Sequence, residues 1–358
     1  MLRLEARPEP SRAFAWLSPL LAIALTALVA ALLFAALGKD VGRGLTTFFW
    51  TPIESAARWN ELALKATPLI VCALGLSLCF RANIWNIGAE GQYLLGAIAA
   101  GGVALWATAA GLKPEPWLWL PVSIAAGAAG GAFWASLVAL ARDRANANEI
   151  LVSLMLVYVA NLLLSWLVFG PWKDPGGFNF PQTMRFVEET LLPRIATPGR
   201  LHVGFVLALV AALAMTAFMF RTYRGYQFQV GGLAPAAARY AGFSARGALW
   251  SALLTSGALA GIAGAFEVMG PMGQLTPHVS QGYGFAAIIV AFVGRLHPIG
   301  TVLAAFLLSM FLIGGELAQS RLGLPSALSA VFQGLLLIAL LACDVLIHYR
   351  LRWRRSNL

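Results

Sequence analysis

Ten apolar runs, divided by short polar breaks, set the limits on what this chain can fold into. They are Phe14–Leu37, Leu62–Phe80, Gly88–Ala110, Trp117–Ala141, Ile150–Phe169, Leu201–Phe220, Ala248–Val268, Gly284–Val293, Thr301–Gly315 and Ser326–Leu346. A helix of about 20 apolar residues crosses a bilayer, and most of these runs reach that length. Composition agrees: 59% of the 358 residues are hydrophobic, 11% are charged, and the mean hydropathy is +0.76. A soluble core of this size does not need so much apolar surface. The expected fold is all-α: a polytopic transmembrane helical bundle with about ten transmembrane segments, forming one membrane domain over residues 1–358. The runs at 284–293 and 301–315 are short for a crossing. They read either as short or discontinuous crossings or as one re-entrant pair.

Charge orients the bundle. Residues 1–13 form a polar tail with three arginines, and the run after it is longer than the ~7–15 residues of a signal-peptide core. It is therefore expected to be the first spanning helix, with the tail inside. Ten crossings then place both termini on the cytoplasmic side. Of the 25 Lys and Arg, the runs put fifteen inside, among them Arg81, Arg142, Arg144, Arg221, Arg224, Arg239, Arg246, Arg295, Arg354 and Arg355. Lys39, Lys113, Lys173 and Arg321 fall outside. The net charge of +10 is thus read as topology. No dense basic patch with interleaved aromatics marks a nucleic-acid partner. Cys72, Cys79 and Cys343 lie in apolar runs without pairing or metal spacing and read as small buried hydrophobes.

The densest polar stretch between apolar runs is Arg81-Ala-Asn-Ile-Trp-Asn-Ile-Gly-Ala-Glu-Gly-Gln-Tyr93. Each polar group there needs a protein or water partner if it lies in lipid. One reading is a polar turn between helices. The other, favoured here, is a bent segment with a helix starting near Gly88, in which Asn86, Glu90 and Gln92 line or brace an internal path.

Catalytic chemistry finds little support. The four lysines do not follow the glycine spacing of a phosphate-binding loop, and the four histidines are scattered, so neither an ATPase site nor a metal site is expected. Glu90, Glu149, Glu267, Glu316 and Asp344 all fall near expected helix ends, whereas ion-coupled carriers keep an ionisable group near mid-membrane. The spans offer neutral polar groups instead: Ser153, Tyr158, Asn161, Thr255, Ser256 and Gln333. Singly these serve helix packing; together they suit a path for an uncharged polar solute. Asn161 stands out, because an Asn in so apolar a run needs a partner. Gly127/Gly131 and Gly257/Gly261 have the spacing of close helix approach and read as intramolecular packing.

Two loops carry information. Gly170–Arg200 is rich in Pro, Gly and aromatics and suits an ordered outer cap. Within the inner loop 221–246, a short helix is expected to open near Pro235 and stop at Gly242. Its Ala237, Ala238, Arg239 and Tyr240 form a small face suited to docking in a groove of another protein, in preference to resting on lipid headgroups.

Taken in order, Asn86-Ile-Gly-Ala-Glu-Gly-Gln92, Asn148-Glu-Ile150, Gly170-Pro-Trp-Lys-Asp-Pro175, Pro181-Gln-Thr183 and Ala237-Ala-Arg-Tyr-Ala-Gly242 resemble the permease subunits of bacterial ABC importers for nucleosides, within the sugar and branched-chain amino acid permeases. One departure is Ala234, where the family pattern usually has Asn before the Pro. The resemblance implies an inner-membrane subunit with no cofactor of its own, paired with a second, homologous permease as a heterodimer. It further implies a cytoplasmic ABC ATPase that uses ATP and docks on 221–246, and a periplasmic or lipoprotein substrate-binding protein outside. The candidate substrate-path residues are thus Asn86, Glu90, Gln92, Asn148, Glu149, Tyr158 and Asn161, and the candidates for coupling to the ATPase are Pro235, Ala237, Ala238, Arg239, Tyr240 and Gly242. A ribose-type monosaccharide permease and an ion-coupled secondary transporter are the alternatives.

Overall fold

The computed structural model describes residues 2–7, 11–111, 115–195, 199–325 and 327–353; Lys113, Arg354 and Arg355 of the charge count lie outside them. The chain divides into two compact units, residues 60–306 and the combination of 1–59 with 307–358.

In the smaller unit, β1 (Leu2–Ala6) leads into α1 (Arg12–Ala36), capped by Ser11. A short α2 (Val41–Leu45) and two irregular turns through Ile53 follow. These turns pack Phe48 against Phe311 and Phe332, at ring separations of 5.7 and 4.8 Å.

The larger unit begins at Asn60, in the second turn of the span α3 (Ala56–Arg81), and continues with α4 (Ala89–Ala109), α5 (Pro116–Ala145) and α6 (Glu149–Phe169). After the outer loop come α7 (Gly204–Arg221), α8 (Tyr223–Leu233), α9 (Pro235–Tyr240), α10 (Ala245–Glu267) and α11 (Tyr283–Val293). The boundary between the units falls inside α12 (Pro298–Leu322), and α13 (Ala327–His348) ends in β2 (Tyr349–Trp353).

Among the described residues nine helices are long and apolar enough to cross a membrane, and α11 is a tenth, shorter apolar helix. Of the two readings left open for 284–315, a re-entrant pair is not what forms. Of its two members, α12 is a full 25-residue span, while α11 has 11 residues and rises about 16 Å, half the hydrocarbon thickness. Because α12 continues to Leu322, Glu316 lies within a helix and not at its end, contrary to expectation.

β1 and β2 pair antiparallel, with Leu4 opposite Leu351, so the two ends of the chain meet. Such pairing puts both strands on one side of the membrane, as an even number of crossings does. Behind them α1 packs on α13, where Ser18 donates to Asp344 at 2.6 Å.

The centre of the larger unit is the trio α4, α5 and α10. Lipid gives helices no hydrophobic reason to associate, so association depends on close packing of small residues. The two glycine pairs supply it: a Cβ on Gly131 would lie 2.1 Å from the Gly257 oxygen, and one on Gly261 would lie 2.1 Å from the Gly127 oxygen. Their spacing was legible, and they pack within this chain as expected.

The outer loop is an ordered cap. Thr183 exchanges two 3.0 Å bonds with Leu275, and Leu192 donates to the Met269 carbonyl at 2.8 Å. Trp172 fills the space beside Gly102.

Candidate functional site

α3 stops at Arg81, and Asn83 turns the chain in the left-handed region (φ 56°). The backbone then runs without helix through Ile87, and α4 starts at Ala89, as the bent-segment reading expects. Inside the bend Asn86 and Gln92 are fully buried and pair reciprocally, Asn86 Nδ2 to Gln92 Oε1 at 2.9 Å and Gln92 Nε2 to Asn86 Oδ1 at 3.0 Å. Asn86 Nδ2 also donates to Ser256 Oγ at 3.0 Å, and Asn86 Oδ1 accepts from the Gly88 amide at 3.2 Å.

Glu90 is 4% exposed, and its Oε2 accepts from the Gly284 amide at 2.7 Å. Ser280 and the amides of Gly282 and Phe285 also bond to it. A carboxylate at a helix N-terminus satisfies orphan amides and complements the helix dipole, so Glu90 anchors the half-length α11. Of the two roles expected for these three residues, the geometry gives bracing. Asn86 and Gln92 turn their polar atoms to each other, and Glu90 turns its carboxylate to the start of α11.

The other nominated path residues fall into two groups. Asn148 caps α6, its Oδ1 accepting from Ile150 N at 2.9 Å, and Glu149 pairs with Arg142 at 3.3 Å. Both hold the turn between α5 and α6, and neither joins the buried network. Tyr158 and Asn161 lie near the middle of α6 on its outward face, Tyr158 61% exposed. Asn161 Nδ2 bonds back to the Val157 carbonyl at 3.1 Å, so the partner it was expected to need is its own helix. Sequence could not tell which side of α6 was outward, because the helix is apolar all round.

At the arginine-rich end, the expected short helix forms as α9. Pro235 opens it, where the missing N–H costs nothing, and Gly242 follows it in the left-handed region (φ 77°). Its nominated residues divide by face. Ala237 and Tyr240, the latter 97% exposed, point away from the bundle. Pro235, Ala238, Arg239 and Gly242, spaced three and four apart, line a groove of about 800 Å³ beneath it. Ala238 is 6% exposed and so does not sit on the outward docking face, where the sequence reading placed it.

Two features were not legible. Lys65, Arg200, Glu267, His278 and Tyr283 surround a polar cavity of about 180 Å³, and Arg200 also pairs with Glu61 at 2.7 Å. His202 is buried, and its Nδ1 accepts from the Gly204 amide at 3.1 Å; burial pushes its pKa down to about 4.

The family model described as the permease component of the branched-chain amino acid transport system matches residues 60–341. Several curated relatives extend over nearly the whole chain. The glucose ABC transporter permease protein of Haloferax volcanii is 32% identical over 98% of this chain and 94% of its own. The guanosine ABC transporter permease protein of Bacillus subtilis is 30% identical over 96% of each. The nucleoside ABC transporter permease protein of Lactococcus lactis is 26% identical over 86% of each.

Proposed function

The chain belongs to the family of branched-chain amino acid transport permease components, and from that premise we propose that it is one transmembrane half of an ABC importer for nucleosides. The observation that carries the proposal is α9: six residues, closed by Pro and Gly, that hold Ala237 and Tyr240 clear of the bundle. A chain without a phosphate-binding loop draws on ATP only through another protein, and this helix is the small, rigid contact through which a partner could push. A cytoplasmic ATPase docks there; its closure on ATP displaces α9, and the bundle exchanges outward- and inward-open states.

Tyr158 and Asn161 complete the reading. A mid-span Asn facing hydrocarbon is costly. A second permease subunit laid against this face of α6 turns the cost into a polar lining for an uncharged solute. The buried amide pair and Glu90 hold the geometry behind that lining. A substrate-binding protein delivers the solute on the outer side, and the assembly resides in the bacterial inner membrane. The chain itself is a transport component and no enzyme. The names of the relatives put two solutes forward. Guanosine and nucleosides favour the nucleoside reading; the relative named for glucose supports a monosaccharide as the second reading.

The test is reconstitution with and without neighbours. Vesicles carrying this chain, a second permease and an ATPase should accumulate nucleoside only with internal-face ATP and binding protein. Accumulation by this chain alone under an ion gradient overturns the proposal. Uptake of monosaccharide and not nucleoside by the full assembly selects the second solute.

A further inference from the structure

The groove under α9 has a chemistry that coupling to an ATPase does not use. It is enclosed by the turn after α3, the end of α5, α8, α9 and the first turn of α10. At about 800 Å³ it is within the size range of small-molecule sites. Four arginines line it against two carboxylates. Two of the four are matched internally: Arg142 pairs with Glu149 at 3.3 Å, and Arg246 with Asp143 at 2.7 Å. Asp143 also accepts from Trp250 Nε1 at 3.2 Å, which fixes it in place. Arg224 on α8 and Arg239 on α9 have no hydrogen-bond or ion-pair partner among the described residues. The groove therefore carries a surplus of two positive charges, placed on the two elements that make up the inner loop. One wall is aromatic, with Tyr223 edge-on to Phe243 at 5.9 Å.

We propose that this groove binds a phosphate group, with Arg224 and Arg239 as its ligands. The guanidinium fork matches phosphate oxygens in a bidentate fashion, and the anion offsets the surplus, a monoester dianion wholly and a headgroup diester by half. Basic pockets on the inner side of membrane proteins take up phosphate from two sources, lipid headgroups and soluble esters, and the chemistry of this site is common to both. A phosphate bridging Arg224 and Arg239 joins α8 to the groove-facing side of α9. It leaves Ala237 and Tyr240 free and restrains the helix from behind. If α9 is the coupling element, bound phosphate opposes its movement and damps transport. The binding itself does not depend on that reading.

The experiment is therefore done on the full chain alone, without ATPase. Its thermal midpoint is followed in phosphatidylcholine nanodiscs titrated with inorganic phosphate, using chloride at matched ionic strength as the control. In a second arm, phosphatidylglycerol replaces part of the phosphatidylcholine. A saturable rise in the first arm identifies a soluble phosphate, and a rise confined to the second identifies a headgroup; either supports the site. Arg224→Gln should raise the half-saturating concentration roughly tenfold, the loss expected of a charge-assisted contact. Arg221→Gln, an exposed arginine outside the groove, should leave it unchanged. Absence of a rise in both arms, or equal weakening by the two variants, overturns the proposal, whatever becomes of the coupling role of α9.

Discussion

Asn86 has protein partners on both amide atoms, all within 3.2 Å, and the same amide group on Asn161 has only a carbonyl of its own helix. The two therefore respond differently to substitution. Asn86→Ala leaves Gln92, Ser256 and the Gly88 amide short of partners in a buried interior, and should lower the stability of the isolated subunit by about 1–3 kcal/mol. Asn161→Leu should change it by less than about 0.5 kcal/mol, as a substitution on an outward face does, and yet reduce transport by the assembled importer. Unfolding midpoints in detergent beside uptake assays check both; normal uptake by Asn161→Leu removes that residue from the path. His202 makes a pH prediction. Its pKa is about 4 in the fold, against 6.5 for an unperturbed histidine, so as pH falls the unfolded chain takes up the proton first. The His202 contribution is fully present above about pH 6.5 and is lost as pH falls towards 4, by up to about 3 kcal/mol. His202→Leu should flatten the stability profile between pH 7 and 5. An unchanged slope would show that the imidazole is protonated in the fold.

Elements were legible in proportion to how locally they are specified. α9 was visible because Pro235 and Gly242 act on their own backbone. The glycine pairs were visible because spacing alone brings Gly127 and Gly131 to one face. The partner of Glu90 was not, because Gly284 lies 194 residues away and nothing near Glu90 announces it. The end of α12 was misplaced for another reason. The apolar run ends at Gly315, yet the helix continues through the polar Glu316, Gln319 and Ser320 to Leu322. Two predictions belong at this scale. Gly131→Leu places a side chain where the Gly257 carbonyl already is, so α5 and α10 must separate; it should prevent accumulation of folded subunit, seen as loss of the monodisperse peak in detergent. On α9, Tyr240→Ala should leave folding unchanged and lower ATP-driven uptake severalfold, because the ring touches little of its own chain. Ala238→Trp must instead displace the groove wall and lower stability as well. Equal stability of the two variants would contradict the division of faces.

The whole molecule must satisfy a single orientation, and two observations bear on it independently. The charge distribution assigns the tail, the 221–246 loop and the C-terminal arginines to one side. The β1–β2 pair brings the two termini together without reference to charge. An odd number of crossings would separate them by the thickness of the bilayer, so α11 must be counted with the nine long helices, even though it is only half their usual length. Impermeant thiol labelling tests this. In a background lacking Cys72, Cys79 and Cys343, Glu5→Cys and Tyr349→Cys should share one accessibility, reacting only after the cells are permeabilised. Within the larger unit, Phe178→Cys, at a 93% exposed position in the outer cap, should react in intact cells, and Tyr240→Cys only after permeabilisation. Opposite behaviour of Glu5→Cys and Tyr349→Cys would mean that α11 does not complete a crossing. Reaction of both Phe178→Cys and Tyr240→Cys in intact cells would place α9 on the outer side, where no ATPase could reach it.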